Sequence, residues 1–142
     1  MEYIKKKGVG AEAAEEAYKN GYYVEAIQTL HSFLEAQARS YLMLIGCVHF
    51  KAMHVDVWDM ADTISFNDTL KVLRILNQIS TEQHSEYKKF NSLRNKIVHQ
   101  LYKEPYDKEY LGVSKKEFDE VFQETIKEAF FFTEKCEEII EL

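Results

Sequence analysis

The stretch STEQHSEYKKFNSLRNKIVHQLYKEP, residues 80–105, decides how this chain folds. Ser80 is followed three residues later by Gln83, which is the pattern of a capping box at the start of a helix. Pro105 cannot continue a helix, because it lacks an amide donor and its ring clashes with the preceding turn. The stretch therefore predicts one long helix that follows STEQ and runs to about Tyr102.

One side of this predicted helix is apolar. With successive residues placed about 100° apart around the helix axis and Phe90 at zero, Leu93, Ile97 and Leu101 fall within about 60° of it. They form a predicted core stripe. Arg94, at about 40°, lies at the edge of that stripe. An arginine at such an edge must reach water, pair with a carboxylate or hold an anion.

The opposite side of the same helix is polar and aromatic. Asn95, His99 and Tyr102 fall at about 140°, 180° and 120° from Phe90. Asn95 and His99 are four residues apart, so their side chains can touch. A second copy of the helix packed across this side would place two arginines and two histidines around one groove. The pattern therefore favours a dimer with a composite site.

Four further helices are predicted along the chain. They cover residues 10–19, residues 22–45 with Gly46 as a stop, a segment from SFND to about residue 78, and a segment from SKKE nearly to Leu142. A short helix or ordered excursion is expected within residues 46–64, because a structureless connection of that length is unusual. The prediction is an all-α, up-down bundle of about five helices in a single domain, 1–142.

Apolar spacing also predicts which residues of these helices face the core. In the second helix they are Ala26, Leu30, Phe33, Leu34, Gln37, Tyr41 and Leu44. In the third helix they are Leu70, Leu73, Ile75 and Leu76. In the last helix they are Phe118, Val121, Phe122, Ile126, Ala129, Phe130 and Ile140.

Composition and charge limit the classes of function. The net charge is −6, yet residues 82–104 carry 5 Lys+Arg against 3 Asp+Glu, whereas residues 105–142 carry 5 against 11. Overall acidity argues against a strong non-specific nucleic-acid binder but leaves room for a local basic groove. Four lysines lie near Arg94 and His99 in the sequence, and they form either a solvated face or the edge of that groove. They are Lys88, Lys89, Lys96 and Lys103.

The expected compartment is the cytoplasm, and no cofactor is expected. No apolar run is long enough for a membrane span, and no secretory signal follows the N-terminal lysines. Cys47 and Cys136 form no disulfide framework and are expected to be free thiols. Cys47, His49 and His54 match no zinc signature, so no metal site is predicted. Trp58, with two methionines near it, is expected either to pack into the core or to form an exposed apolar surface that binds other molecules.

Arginine and histidine together suit phosphate chemistry. Histidine can move a proton near neutral pH, and arginine offers parallel donors to a phosphate without losing its charge. They could cleave RNA without a metal, the 2′-oxygen attacking the adjacent phosphate. The alternative is a purely structural role, in which Arg94 pairs with a carboxylate and His99 lines an interface or caps a helix. Glu35 is likewise open to two interpretations, since it could pair with Arg39 or orient Arg94.

The segment LRNKIVHQLY resembles the signature of the HEPN (higher eukaryotes and prokaryotes nucleotide-binding) family. That signature is an arginine followed within two helical turns by a histidine, often with Asn or Asp directly after the arginine. Arg94, Asn95 and His99 match it position by position. The segments YYVEAIQTLHSFLEAQARSYLM and ISFNDTLKVLRILNQIS are similar to the helices that precede this motif. The resemblance covers about residues 10–140.

The resemblance implies a homodimer with both motifs at the interface. Many members are metal-independent endoribonucleases, including toxins and defence effectors, whereas others bind a nucleotide or a partner protein without catalysis. It implies catalytic roles for Arg94, Asn95 and His99. The residues predicted to bind substrate, from their positions around these three, are Lys89, Lys96, Tyr102 and Lys103. One toxin branch has a tyrosine two residues after the histidine, which a nucleotidyltransferase antitoxin modifies. Leu101 occupies that position here, so the chain departs from that branch.

Overall fold

The computed structural model describes residues 1–5, 8–101, 103 and 112–141. These residues form seven α-helices and one π-helical segment, with no strand among them, which confirms the predicted all-α bundle. The elements are α1 (Gly10–Lys19), α2 (Tyr23–Leu44), a π-helical segment (Ile45–His49), α3 (His54–Ala61), α4 (Phe66–Ile75), α5 (Thr81–Leu101), α6 (Lys115–Lys127) and α7 (Phe131–Glu141). No helix in this part of the chain combines the length and apolarity needed to cross a membrane.

Side-chain caps fix the starts of three helices. Ser80 and Gln83 form both bonds of the capping box, the Ser80 amide donating to Gln83 Oε1 at 2.9 Å and the Gln83 amide to Ser80 Oγ at 3.0 Å. The hydroxyls of Ser65 and Ser114 likewise accept an amide hydrogen from three residues further on. After α1 the chain reverses at Gly21, whose φ of 82° favours glycine. The predicted helix starts are therefore confirmed.

The central helix of the bundle is α2, which packs against α1, α3, α4, α5 and α7. The core beneath it is built largely from aromatic side chains that are almost fully buried, namely Phe66, Tyr87, Phe90, Phe122 and Phe132. The Tyr87 hydroxyl donates to the Glu128 carbonyl at 3.0 Å and so ties α5 to the end of α6. The long predicted helices thus meet in the core as expected, with α5 fixed between α4, α2 and α6.

The last predicted helix is wrong as a single element. The chain breaks after Lys127, turns, and begins α7 at Phe131. The break lets α6 pack on α5 while α7 packs on α2, which one straight helix does not do. It also changes which phenylalanine faces inward, since Phe132 is 0% exposed and Phe130 is 44% exposed with its ring against Phe33.

The second α-helix ends at Leu44, within one residue of the prediction, but Gly46 does not stop the helical path. The chain passes directly from α2 into the π-helical segment, and the Phe50 amide donates to the Ile45 carbonyl five residues earlier. A π-helical turn is a rare local widening that often lies near functional sites. The prediction of a short helix within residues 46–64 is confirmed by α3.

Two isoleucines predicted to face the core are exposed. Ile75 is 80% exposed and Ile140 is 70% exposed. Each lies at or near the end of its helix. The last buried residues of these two helices are Leu73 and Ile139. After Ile75 the chain turns away through Asn77, whose φ is 57°. Helical spacing alone places such terminal residues inward because it does not show where the neighbouring helix ends.

Candidate functional site

The core stripe of α5 begins earlier and ends earlier than predicted. Phe90, Leu93 and Ile97 are buried as expected, and Tyr87 extends the stripe by one turn at 1% exposure. Leu101, predicted to belong to it, is 37% exposed. It is the last residue of α5 and lies beyond the core. The buried stripe, from Tyr87 to Ile97, therefore fixes the rotation of α5 over about three turns.

Arg94 turns from the edge of this stripe toward the polar side of α5. It is half-buried, and its Nη1 donates to Asn95 Oδ1 at 3.0 Å. Asn95 and His99, one turn apart on that side, are both exposed. The side chain of Arg94 is thus held on the side of the helix that bears His99, although their backbone positions are about 140° apart. Tyr102 lies outside the described residues.

Arg94 has no acidic partner within the described chain. None of the ion pairs there includes it, so the pairing with a carboxylate that was considered above is not formed. Its Nε is shielded from solvent and has no hydrogen-bond partner. A buried donor left without an acceptor is costly, and a charged one more so. An anion bound at the end of the guanidinium would offset its charge.

A buried histidine supports the inner side of this site. His31 of α2 is 5% exposed, and its Nε2 lies 2.8 Å from Asn91 Oδ1 on α5. Its ring packs against Phe66 and Phe90. Burial lowers the pKa of His31; the Asn91 hydrogen bond opposes this shift, and the positive charge of Arg94 adds to it. The neutral imidazole therefore links α2 to the turn of α5 that precedes Arg94.

Sequence reasoning assigned no role to His31. The signal was present, because His31 lies between Leu30 and Leu34 on the inward side of the predicted helix. What the spacing could not show is its partner, since Asn91 is 60 positions away along the chain.

Glu35 and Arg39 form the expected pair within α2. Arg39 Nη1 lies 3.3 Å from Glu35 Oε1, and Arg39 Nε donates to the Ile64 carbonyl at 2.6 Å. The other carboxylate oxygen of Glu35 accepts from the Phe66 amide at 3.2 Å. Glu35 is thus committed to Arg39 and to the start of α4. The alternative, in which it orients Arg94, is not formed.

The predicted substrate-binding lysines do not all gather around Arg94. Lys89 and Lys96 line a groove of about 450 Å³ between α5 and α6, with Glu117 on its far wall. On the helix they lie at about −100° and −120°, the flank opposite to Arg94. Lys89 also lies 3.5 Å from Glu86. Lys103 is exposed beyond the end of α5.

The short helix α3 carries metal-ligand side-chain types as well as exposed apolar side chains. Across the described ranges, no three His, Cys, Asp or Glu side chains are grouped to hold a metal ion. Trp58, Met53 and Met60 are 53%, 71% and 66% exposed, so they do not pack into the core. Of the two interpretations above, an exposed apolar surface describes them.

Comparisons with known proteins return no match: no protein-family model, no curated protein and no solved structure matches this chain. Function is therefore inferred from the chemistry of α5 and its neighbours, together with the resemblance of its motif. The polar group available for that chemistry consists of Arg94, Asn95 and the exposed His99, with His31 and Asn91 beneath it.

Proposed function

We propose that the protein is a homodimeric, metal-independent endoribonuclease of HEPN type. Its groove would be formed by Arg94, Asn95 and His99 of both subunits. The observation that supports this most is the state of Arg94, whose guanidinium is drawn to Asn95 on the polar side of α5 and has no carboxylate partner among the described residues. An unpaired guanidinium beside an exposed histidine suits the binding of a phosphodiester.

In this proposal the reaction is an attack within the RNA strand. His99 removes the proton of a 2′-hydroxyl, and the oxygen attacks the adjacent phosphorus. The bond from phosphorus to the 5′-oxygen breaks, and that oxygen takes a proton from a histidine of the groove. The products are a 2′,3′-cyclic phosphate and a 5′-hydroxyl. Arg94 binds the non-bridging oxygens and stabilises the added negative charge, with Asn95 positioning the phosphate or His99.

The geometry of one helix favours two subunits for this task. The Arg94 guanidinium reaches Asn95 at one border of the exposed side of α5, whereas His99 lies at the middle of that side, about 140° from the backbone position of Arg94. A second α5 packed across that side brings the partner subunit's His99 toward Arg94. A closed two-fold arrangement of this kind is the commonest form of protein dimer.

A second candidate is a non-catalytic module that binds a nucleotide or a partner protein. The observation in its favour is that the His99 side chain makes no hydrogen bond within the described chain. A histidine that acts as a base is usually oriented by another polar group. Arg94 and Asn95 would then hold a nucleotide phosphate without a proton transfer. The resemblance adds a cognate antitoxin or nucleotidyltransferase as a protein partner of either form.

Cleavage of RNA in the presence of EDTA separates the two candidates. Wild-type protein is expected to cut a labelled single-stranded RNA, and His99→Ala to lose about 10²-fold or more of that rate. The control is His54→Ala, which removes another exposed histidine, on α3, and is expected to cut like wild type. If wild type and His99→Ala show the same residual cleavage, the endoribonuclease proposal fails. Nucleotide binding that depends on Arg94 would then support the second candidate.

A further inference from the structure

The polar side of α5 extends well beyond the proposed groove. Moving from Asn95 toward the start of the helix, Asn91, Lys88 and His84 lie at about 100°, 160° and 120° from the centre of the core stripe. They share this side with Asn95. The two acidic residues of the same turns, Glu82 and Glu86, lie at about −80° and −40°, on the other flank.

At its first turn, α5 is joined to α4 by an arginine. Arg74 Nη2 donates to Thr81 Oγ1 at 3.1 Å, and its Nη1 donates to the Ile79 carbonyl and to Asn77 Oδ1, each at 3.2 Å. These bonds use three of the five guanidinium donors and hold the positive charge beside α5. Lys71, one turn earlier on α4, is exposed and lies 3.8 Å from Asp68.

His84 lies among these cations without a partner for one of its ring nitrogens. It is half-buried, and its Nε2 is shielded from solvent and makes no hydrogen bond. Burial lowers the pKa of His84, and the positive charges of Lys88, Arg74 and Lys71 lower it further. Among the described residues, the charges that shift this pKa are all positive. An anion beside these side chains would offset the repulsion.

We propose that Lys71, Arg74, His84 and Lys88 form a second phosphate site, which holds the RNA strand upstream or downstream of the bond cut at Arg94. We refer to these four residues as the α4–α5 cationic cluster. The inference rests on the proposed function for its choice of RNA as the ligand. Lys88 and Asn95 are seven residues apart, which is about 10 Å along the helix axis. One strand following the polar side of α5 reaches both sites.

The cluster differs from the lysines of the α5–α6 groove. Lys89 and Lys96 lie opposite the acidic α6, with Glu117 across the groove. The cluster has instead an imidazole whose pKa is lowered by burial and by three neighbouring cations, and an arginine fixed by three hydrogen bonds. Lys88 lies at the boundary between the two regions and lines the groove as well. The inference therefore places the strand along the His84 side of α5.

The test is binding of a labelled single-stranded 2′-O-methyl RNA, measured by fluorescence anisotropy over a series of salt concentrations. This probe lacks the free hydroxyl needed for cleavage, so binding is read independently of catalysis. Each lost phosphate contact to a single strand lowers the slope of log K against log[salt] by about 0.7. The double variant Lys71→Ala/Lys88→Ala is expected to lower it by about 1.4. Both lysines are exposed, so the fold is retained.

The matched control is Lys116→Ala, which removes an exposed lysine of α6 outside the cluster and should leave the slope unchanged. A wild-type slope in the double variant overturns the proposal, and so does an absence of binding by wild type. An equal fall in slope for Lys116→Ala also overturns it, because binding would then be non-specific. If the cluster-dependent slope is found but unmodified RNA is not cut, the cluster stands and the endoribonuclease proposal fails.

Discussion

Two half-buried arginines of this protein differ in what surrounds them. Arg39 on α2 lies 3.3 Å from Glu35 and donates to the Ile64 carbonyl, so it fastens α2 to the residues that precede α4. Arg94 on α5 donates to the side chain of Asn95, and its Nε is left without an acceptor. In the first arrangement, the positive charge has a carboxylate partner within the chain. The second has no carboxylate partner among the described residues.

This difference separates a structural role from a functional one. Hydrogen bonds to charged groups stabilise a fold by about 1.5–3 kcal/mol, whereas a buried donor without a partner costs about 1–3 kcal/mol. Arg39 therefore stabilises the fold, while the guanidinium of Arg94 adds little to stability and is available for phosphate. Variants of the two arginines should consequently affect activity and stability in opposite ways.

The largest expected difference is in RNA cleavage. Arg94→Met removes the donors that would stabilise the phosphate in the transition state, and kcat/KM should fall by about 10²–10³-fold. Arg39→Met leaves those donors in place and should lower kcat/KM by less than about tenfold. The measurement is cleavage of a labelled RNA in EDTA, at a temperature where both variants are folded. Equal losses in the two variants would remove the distinction between the two arginines.

The reverse order is expected for stability. Arg39→Met should lower the free energy of unfolding by about 1–2 kcal/mol, because Glu35 and the Ile64 carbonyl lose their partner. Arg94→Met should change it by no more than about 0.5 kcal/mol, since methionine keeps the apolar stem of the side chain. Urea denaturation followed by circular dichroism measures both values. A loss at Arg94 as large as that at Arg39 would show that Arg94 also stabilises the fold.

A smaller effect is expected from His31, which lies between the two arginines. Its pKa is lowered by burial, so the folded protein binds fewer protons than the unfolded chain, whose histidine titrates near 6.5. Stability is therefore full above about pH 6.5 and falls as the pH drops through this value toward the lower pKa of the folded state. The pKa of His84 is also lowered, so His84 likewise lowers stability as the pH falls.

The variant His31→Gln keeps a donor for Asn91 and cannot be protonated. Between about pH 7.5 and about pH 5.5 it should lose less unfolding free energy than wild type, and His84 should account for part of the remaining loss. Urea denaturation at several pH values provides the comparison. An equal or greater loss in His31→Gln would mean that His31 is not held neutral in the folded protein.

Local signals explain the parts of the fold that could be predicted from the sequence. The capping boxes at Ser80 and Ser114 mark helix starts through contacts three residues apart, and the structure contains both amide-to-hydroxyl bonds. The core stripe of Phe90, Leu93 and Ile97 likewise follows from spacing within one helix. The position of Arg94 at the edge of that stripe is a consequence of the same spacing.

Contacts between distant segments explain what could not be predicted. The break before α7 depends on α6 and α7 packing against different helices, and it places Phe132 rather than Phe130 in the core. The bond between His31 and Asn91 joins two helices whose relative rotation the sequence does not state. Spacing within α5 separates Lys89 from Arg94, but it does not show that the flank with Lys89 faces α6.

The most direct test of the composite groove mixes two inactive variants. Arg94→Met and His99→Ala are purified separately, combined in equal amounts under conditions that allow subunits to exchange, and assayed on RNA in EDTA. If the groove is shared, about half of the dimers are mixed and hold one intact arginine and one intact histidine. The mixture should then cleave far faster than either variant alone. A mixture no more active than its components, with wild type active, would contradict the shared groove.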